Sequence, residues 1–88
     1  GCVTCHPAEL YTDLQMHNVG TQSQFDREGE FDTPTLVELF RSAPYLHDGT
    51  AVTLKDVLTT RNTGDMHGKT SGLSPEEIED LALFLQSL

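Results

Sequence analysis

Residues 2–6 read Cys-Val-Thr-Cys-His, and no other stretch constrains the chain as tightly. Two cysteines three positions apart with a histidine directly after them form a C-x-x-C-H run, the attachment pattern of a c-type haem. The spacing has a chemical reason. Cys2 and Cys5 can each bond one vinyl group of the same porphyrin, and His6 then lies beneath the iron with a ring nitrogen to ligate it. A haem held in this way becomes part of the covalent structure, and the chemistry of the domain follows from its iron.

Three other readings of the pair compete. A thioredoxin-like C-x-x-C needs a strand before it and a helix after it; only Gly1 precedes this motif and no βαβ pattern follows. A structural zinc site needs four ligands with a second close pair, and His17, His47 and His67 are too scattered to supply one. A Cys2–Cys5 disulfide would close a very small, strained loop.

The 88 residues suffice for one domain, expected to be a single c-type cytochrome domain over 1–88. Only 36% of residues are hydrophobic and none is Trp, so a core built from protein alone would be marginal. A buried porphyrin would supply the missing apolar body, and the haem-free chain is expected to fold poorly. The formal net charge is −9, from 14 acidic and five basic residues. Such a surface disfavours nucleic acid and anionic membranes and favours redox partners with a basic docking patch. No apolar run is long enough to cross a membrane, and no signal peptide is visible. Gly1 does not look like a natural start, so the chain is expected to be a fragment or a C-terminal domain of a longer protein, with fusion to another haem or extracytoplasmic domain possible. Covalent haem attachment implies maturation outside the cytoplasm, typically in the bacterial periplasm.

Along the chain, Leu10, Tyr11 and Leu14 predict a short helix from about Pro7 to Gln15. The polar stretch from His17 to Asp32 reads as a long loop. Thr33-Pro34 looks like a cap and first helical position, with Leu36, Leu39 and Phe40 as an apolar stripe ending at Ala43-Pro44. Thr53 with Asp56 three positions later opens a helix to about Thr60, with Leu54, Val57 and Leu58 inward. Residues 61–73 form a second loop. Ser74-Pro75-Glu76-Glu77 combines cap, first-turn proline and capping-box Glu, followed by Ile78, Leu81, Ala82, Leu85 and Leu88. No strand signal stands out. The predicted fold class is all-α, a small cytochrome c-like haem domain with three to four short helices and long loops.

The second axial ligand has several candidates: Met66, His67, Met16, His17, His47 and Tyr45. Met16 and His17 end the helix predicted next to the attachment motif, on the proximal side. Met66 lies in Gly64-Asp65-Met66-His67-Gly68, where glycines let backbone approach a flat cofactor. An isolated Met in so polar a loop has little structural reason to be there, which favours Met66, with His67 next. Thioether ligation raises the reduction potential relative to bis-histidine. With both axial positions filled, the domain passes electrons and does not activate substrates.

Phe31-Asp32-Thr33-Pro34-Thr35-Leu36, Ala43-Pro44-Tyr45-Leu46-His47-Asp48-Gly49, Thr53-Leu54 and the closing Leu73-Ser74-Pro75-Glu76-Glu77 with Leu83-Phe84-Leu85-Gln86-Ser87-Leu88 carry a more specific signal. Together they resemble the C-terminal haem domain of bacterial di-haem cytochrome c peroxidases and their MauG-like relatives. The match runs from the attachment motif to the end and is weakest over 16–30. The resemblance implies a high-potential His/Met electron-transfer haem, with His6 proximal and Met66 in the region of the distal methionine. MauG-like proteins have a distal tyrosine, and this chain has none after Tyr45. The peroxidatic haem of the family lies in a separate domain, so peroxidase activity would need a second haem domain.

Two function classes follow. One is an electron-transfer domain carrying one haem c between redox proteins. The other is the electron-feeding haem domain of a larger di-haem peroxidase-like enzyme. Tyr45, His47 and Asp48 read as a polar turn near the haem in preference to catalytic machinery, and Arg41 is a candidate partner for a haem propionate.

Overall fold

The closing helix is the best-formed element, and its start is written in the sequence. The computed structural model describes all of residues 1–88 and places α2 at Pro75–Gln86. Ser74 Oγ accepts from Glu77 N, and the Glu77 side chain accepts in return from Ser74 N. This reciprocal pair satisfies two of the helix's unpaired amides, and Pro75 enters where no amide is needed. The shorter α1, Leu54–Leu58, opens on the same device, with Thr53 and Asp56 exchanging bonds. It ends early because the hydroxyls of Thr59 and Thr60 turn back onto the carbonyls of Lys55 and Asp56, a competition with the helical ladder.

These helices pack together and form the core. Leu58 of α1 meets Ile78 and Ala82 of α2, with Leu73, Leu81 and Leu85 around them. Lys55 also donates to Glu79 across the pair. Leu54 and Ala51 are buried as well. Two 3₁₀ turns, Cys2–Thr4 and Leu39–Arg41, complete the helical content.

The all-α expectation is therefore corrected: the chain holds two α-helices, two single 3₁₀ turns and a two-stranded antiparallel sheet, β1 (Met16–His17) and β2 (Phe31–Asp32), joined by long loops. Met16 pairs with Asp32 and His17 with Phe31. The helix expected from Pro7 to Gln15 is absent, and side chains explain why. The Tyr11 carbonyl, which a helix would give to Gln15 N, bonds His6 Nδ1 at 2.8 Å. Gln15 N goes to Asp13 Oδ1, and Leu14 N to Thr12 Oγ1. Glu9, Tyr11 and Leu14 adopt positive φ as the chain winds through these bonds. The helix expected after Thr33 shrinks to one turn for a similar reason. Thr33 spends its amide and hydroxyl on the Gln15 carbonyl beside the sheet, and Glu38 is left-handed at φ +58°.

Irregular bonds hold the rest. Of 33 backbone–backbone hydrogen bonds, 22 lie in turns, loops and caps. The radius of gyration is 12.4 Å, close to the roughly 12 Å of a folded chain this long. Yet only 7 of 88 residues are buried. The chain is thus as tight as a folded domain while burying little of its own apolar surface. No helix is long and apolar enough to cross a membrane.

Candidate functional site

The first 3₁₀ turn gathers the C-x-x-C-H residues. Cys5 N and His6 N both bond the Cys2 carbonyl, at 3.2 and 2.8 Å. Neither thiol is in a disulfide; Cys2 is exposed and Cys5 half-buried. The half-buried His6 is oriented by its bond to the Tyr11 carbonyl. A carbonyl only accepts, so Nδ1 carries a proton, and in the neutral imidazole Nε2 keeps its lone pair. Metal-ligating histidines are held in this way, with the far nitrogen tied to backbone or carboxylate.

The loop carrying Met66 and His67 lies beside this turn. Gly68 has φ +81°, and a Cβ there would stand 3.6 Å from Cys2 Sγ. Buried Asn62 shapes the loop: its amide nitrogen donates to the Gly68 carbonyl at 2.7 Å and to Thr70 Oγ1 at 2.9 Å, and its oxygen accepts from His67 N at 2.9 Å. Asp65 accepts from Thr70 N and from the amide and hydroxyl of Ser71. Burial pushes the half-buried His67 imidazole toward its neutral form, and the nearby His6 adds to this. Met66 is 53% exposed and its thioether lies against Gly20. Sequence reasoning missed Asn62 and Gly20. An Asn set between Arg61 and a glycine-rich loop was the one available hint for the first.

The remaining candidates are dispersed. Met16 and His17 sit on β1 instead of a helix. His17 Nε2 bonds Asp13 Oδ2 at 2.6 Å, which with smaller contributions draws Asp13 down to about 2. The donor atoms of Cys5, Asp13 and His17 lie within 4.8 Å of one another, three donors where a structural zinc site takes four. His47 Nε2 bonds Asp26 Oδ2 at 2.8 Å, and its ring stacks on Phe31 with centroids 3.7 Å apart. His47 thus ties the 43–51 turn to the 17–32 loop. Tyr45 exchanges backbone bonds with Ala51, and Asp48 accepts from the Thr50 amide and hydroxyl. Arg41 lies in solvent, 3.8 Å from Glu38 and over the Phe40 ring.

The residues present fit a covalently attached porphyrin. Two unbridged thiols and an imidazole with a free Nε2 stand together. A glycine without a Cβ passes over Cys2. Val3, Leu10, Leu14 and Met16, around the attachment motif, are all at least half-exposed, apolar surface that a cofactor would cover.

Comparison with known proteins points the same way. No family model matches the chain. Hydrazine synthase subunit gamma of Kuenenia stuttgartiensis is 34% identical over 130 aligned positions, covering 100% of this chain and 37% of that protein. Cytochrome-c peroxidase IdrP1 of Denitromonas iodatirespirans is 39% identical over 68% of this chain and 18% of its own length. The methylamine utilization protein MauG of Methylophilus methylotrophus is 30% identical over 99% of this chain and 32% of its own. In a solved structure of Kuenenia stuttgartiensis hydrazine synthase pressurized with xenon, one chain superposes on all of this chain with a TM-score of 0.88 and 32% identity, over 41% of its length. The chain therefore spans well under half of the relatives it matches.

Proposed function

From the chain's membership of the di-haem cytochrome c peroxidase and MauG-like family, we propose that it is a c-type cytochrome domain that passes single electrons between redox proteins. Cys2 and Cys5 would hold the porphyrin through thioether bonds, and His6 would offer Nε2 to the iron. One observation carries the reading: both thiols are free beside an imidazole whose other nitrogen is fixed on the Tyr11 carbonyl at 2.8 Å. When bound, a c-type haem supplies a one-electron ferric/ferrous couple. Tyr11 holds the His6 ring in one orientation and one tautomer. Met66 would offer its thioether to the iron, from a loop that Asn62 keeps against Cys2.

A second assignment of the distal position has its own support: His67 is half-buried, pushed toward its neutral form by burial, and near His6. Neutral imidazole is a good iron ligand and would give a lower potential than a thioether. A wider reading is that the domain feeds electrons to a second haem in a longer peroxidase-like protein, supported by the small share of each relative that it spans. The net charge of −9 suits partners with a basic docking patch, and covalent attachment places maturation outside the cytoplasm.

The test is the absorption spectrum and midpoint potential of protein produced with haem-maturation machinery, for the native chain, Met66→Ala and His67→Ala. A low-spin native spectrum that turns high-spin only in Met66→Ala supports His/Met electron transfer. The same change only in His67→Ala moves the ligand to His67. A high-spin native protein that turns over peroxide would replace electron transfer with catalysis, and a native chain that takes up no haem would end the proposal.

A further inference from the structure

Arg61 stands out among the cations of a chain with 14 acidic and five basic residues. Lys55 pairs with Glu79 and Arg41 with Glu38, whereas Arg61, Arg27 and Lys69 pair with no carboxylate; of these three, Arg61 is the one that lines the two hollows around Gly20 and Thr63. Its Nε donates to the Thr50 carbonyl at 3.0 Å, which fixes the plane of the guanidinium. The two Nη groups are left without a protein partner. They belong to a residue that lines two hollows at once. One, of about 390 Å³, is walled largely by hydroxyls and amides, among them Thr21, Ser23 and Thr63. The other, of about 130 Å³, reaches Val19, Gly64 and Met66. Gly20, Arg61 and Thr63 line both.

We propose that Arg61 is a carboxylate-binding residue that anchors a haem propionate beside Met66, through the juxtaposition of its unpaired guanidinium, the hydroxyl-lined hollow and the Met66 thioether. The inference rests on the haem reading above. A planar guanidinium with two free Nη groups matches a carboxylate in two parallel bonds, a geometry that a lysine cannot reproduce. The wall changes character over a short span, from the Met66 thioether and Val19 on one side to threonine and serine hydroxyls on the other. A ligand that is apolar at one edge and anionic at the other meets both. Asp48 also lines the larger hollow; its Oδ1 accepts from the Thr50 amide and hydroxyl, and it forms no pair with Arg61. Arg41 is the weaker candidate, because its charge is spent on Glu38 in open solvent.

Oxyanion chemistry of this kind has two sources, a propionate of the haem or a free anion such as phosphate. The experiment separates them with haem-loaded native protein, Arg61→Gln, Arg61→Lys and Arg41→Gln. Gln at position 61 can still donate to the Thr50 carbonyl, so folding is preserved. Midpoint potential is measured against pH by spectroelectrochemistry, and inorganic phosphate is titrated against the arginine side-chain signals by NMR. Loss of the guanidinium should raise the proton affinity of the propionate about tenfold. The pH at which the potential bends should therefore move up in Arg61→Gln, partly recover in Arg61→Lys and stay put in Arg41→Gln. An unmoved bend together with saturable phosphate binding that Arg61→Gln abolishes keeps Arg61 as an oxyanion site and assigns it to a free anion. A bend that moves in Arg41→Gln instead, or no response in either arm, overturns the proposal. A native chain without haem defeats the electron-transfer reading, and the phosphate arm still decides whether Arg61 binds an oxyanion.

Discussion

Adding one methyl group at Gly20 should separate backbone strain from ligand geometry. The residue has φ +74°, and a Cβ there would stand 2.9 Å from Met66 Sδ and 3.1 Å from Met66 Cβ. Two costs compete. An L-residue in left-handed backbone loses about 1–2 kcal/mol. The clash with Sδ is relieved when the exposed, flexible thioether swings outward, and the contact with Met66 Cβ asks the neighbour to give by only a few tenths of an ångström. Stability should therefore respond mainly to the backbone, and the site mainly to the displaced Met66. For a domain of this size each kcal/mol moves Tm by roughly 4–8 °C, so Gly20→Ala should lower Tm by about 4–16 °C.

The assay is a thermal melt and an absorption spectrum of haem-loaded Gly20→Ala, Met66→Ala and the double variant. The Tm loss from Gly20→Ala should persist in the Met66→Ala background, since its origin is the backbone. The spectral change should not, since it acts through Met66; such a cycle isolates the coupling of the two positions. A Gly20→Ala protein with native Tm and native spectrum would refute the reasoning. A spectral change that survives without Met66 would refute its second half.

Three further outcomes are expected. Asn62→Ala removes the buried amide that holds His67 and Gly68 and should cost about 2 kcal/mol in denaturant titration, with a changed haem spectrum; an unchanged spectrum would separate this loop from the site. Acid should unfold the protein through its carboxylates. Asp13, Asp26, Asp65 and Glu77 all sit below their ordinary values in the folded chain, bonded chiefly to His17, the Ser23 amide, Ser71 and the Ser74 amide. A depressed folded value means that the unfolded chain takes up protons first as pH falls, so this stability is complete above about pH 5 and drains away toward about 2, the folded value of Asp13; melts across that range should flatten at the low end in Asp13→Asn, and an identical profile would sink the assignment. Finally, Cys2→Ala/Cys5→Ala, which prevents attachment, should show no cooperative melt, whereas a sharp melt with native circular dichroism would mean that the protein core suffices alone.

What was legible in the sequence was whatever a few adjacent residues decide. Ser74-Pro75-Glu76-Glu77 and Thr53 with Asp56 announced α2 and α1 because a capping box is satisfied within four positions. The Cys2, Cys5 and His6 motif is of the same local kind, lying within five consecutive residues. The failures all involve a partner far along the chain or a side chain that outcompetes the helix. The stripe Leu10, Tyr11, Leu14 suits a helix, yet His6 takes the Tyr11 carbonyl, and Thr12 and Asp13 supply local substitutes for helical bonds. The pairing of Met16–His17 with Phe31–Asp32 has no local signature at all, because each strand has two residues and its reason lies in the other. His47 read as part of a turn, but its binding to Asp26 and Phe31 depends on the loop it closes over.

The same contrast explains why so small a core can belong to a compact chain. Ala51, Leu54, Leu58, Ile78 and Ala82 are the whole buried apolar set, and all belong to the second half of the chain. Around the attachment motif nothing apolar is buried: Val3, Leu10, Leu14 and Met16 remain open. Yet this half has its own polar scaffold, in which Thr12 and Thr35 hydroxyls reach the Thr33 and Leu10 carbonyls at 2.6 and 2.5 Å. Hydrogen bonds specify a path for the backbone but add little net stability, about 1 kcal/mol each, because water offers the same bonds to the unfolded chain. Apolar burial is what offsets chain entropy, and in the first half only an external apolar body can provide it. A covalently held porphyrin would do so at the one place where two thiols and an oriented imidazole meet, and under the proposed function the group that would carry the electron would also be the missing half of the core.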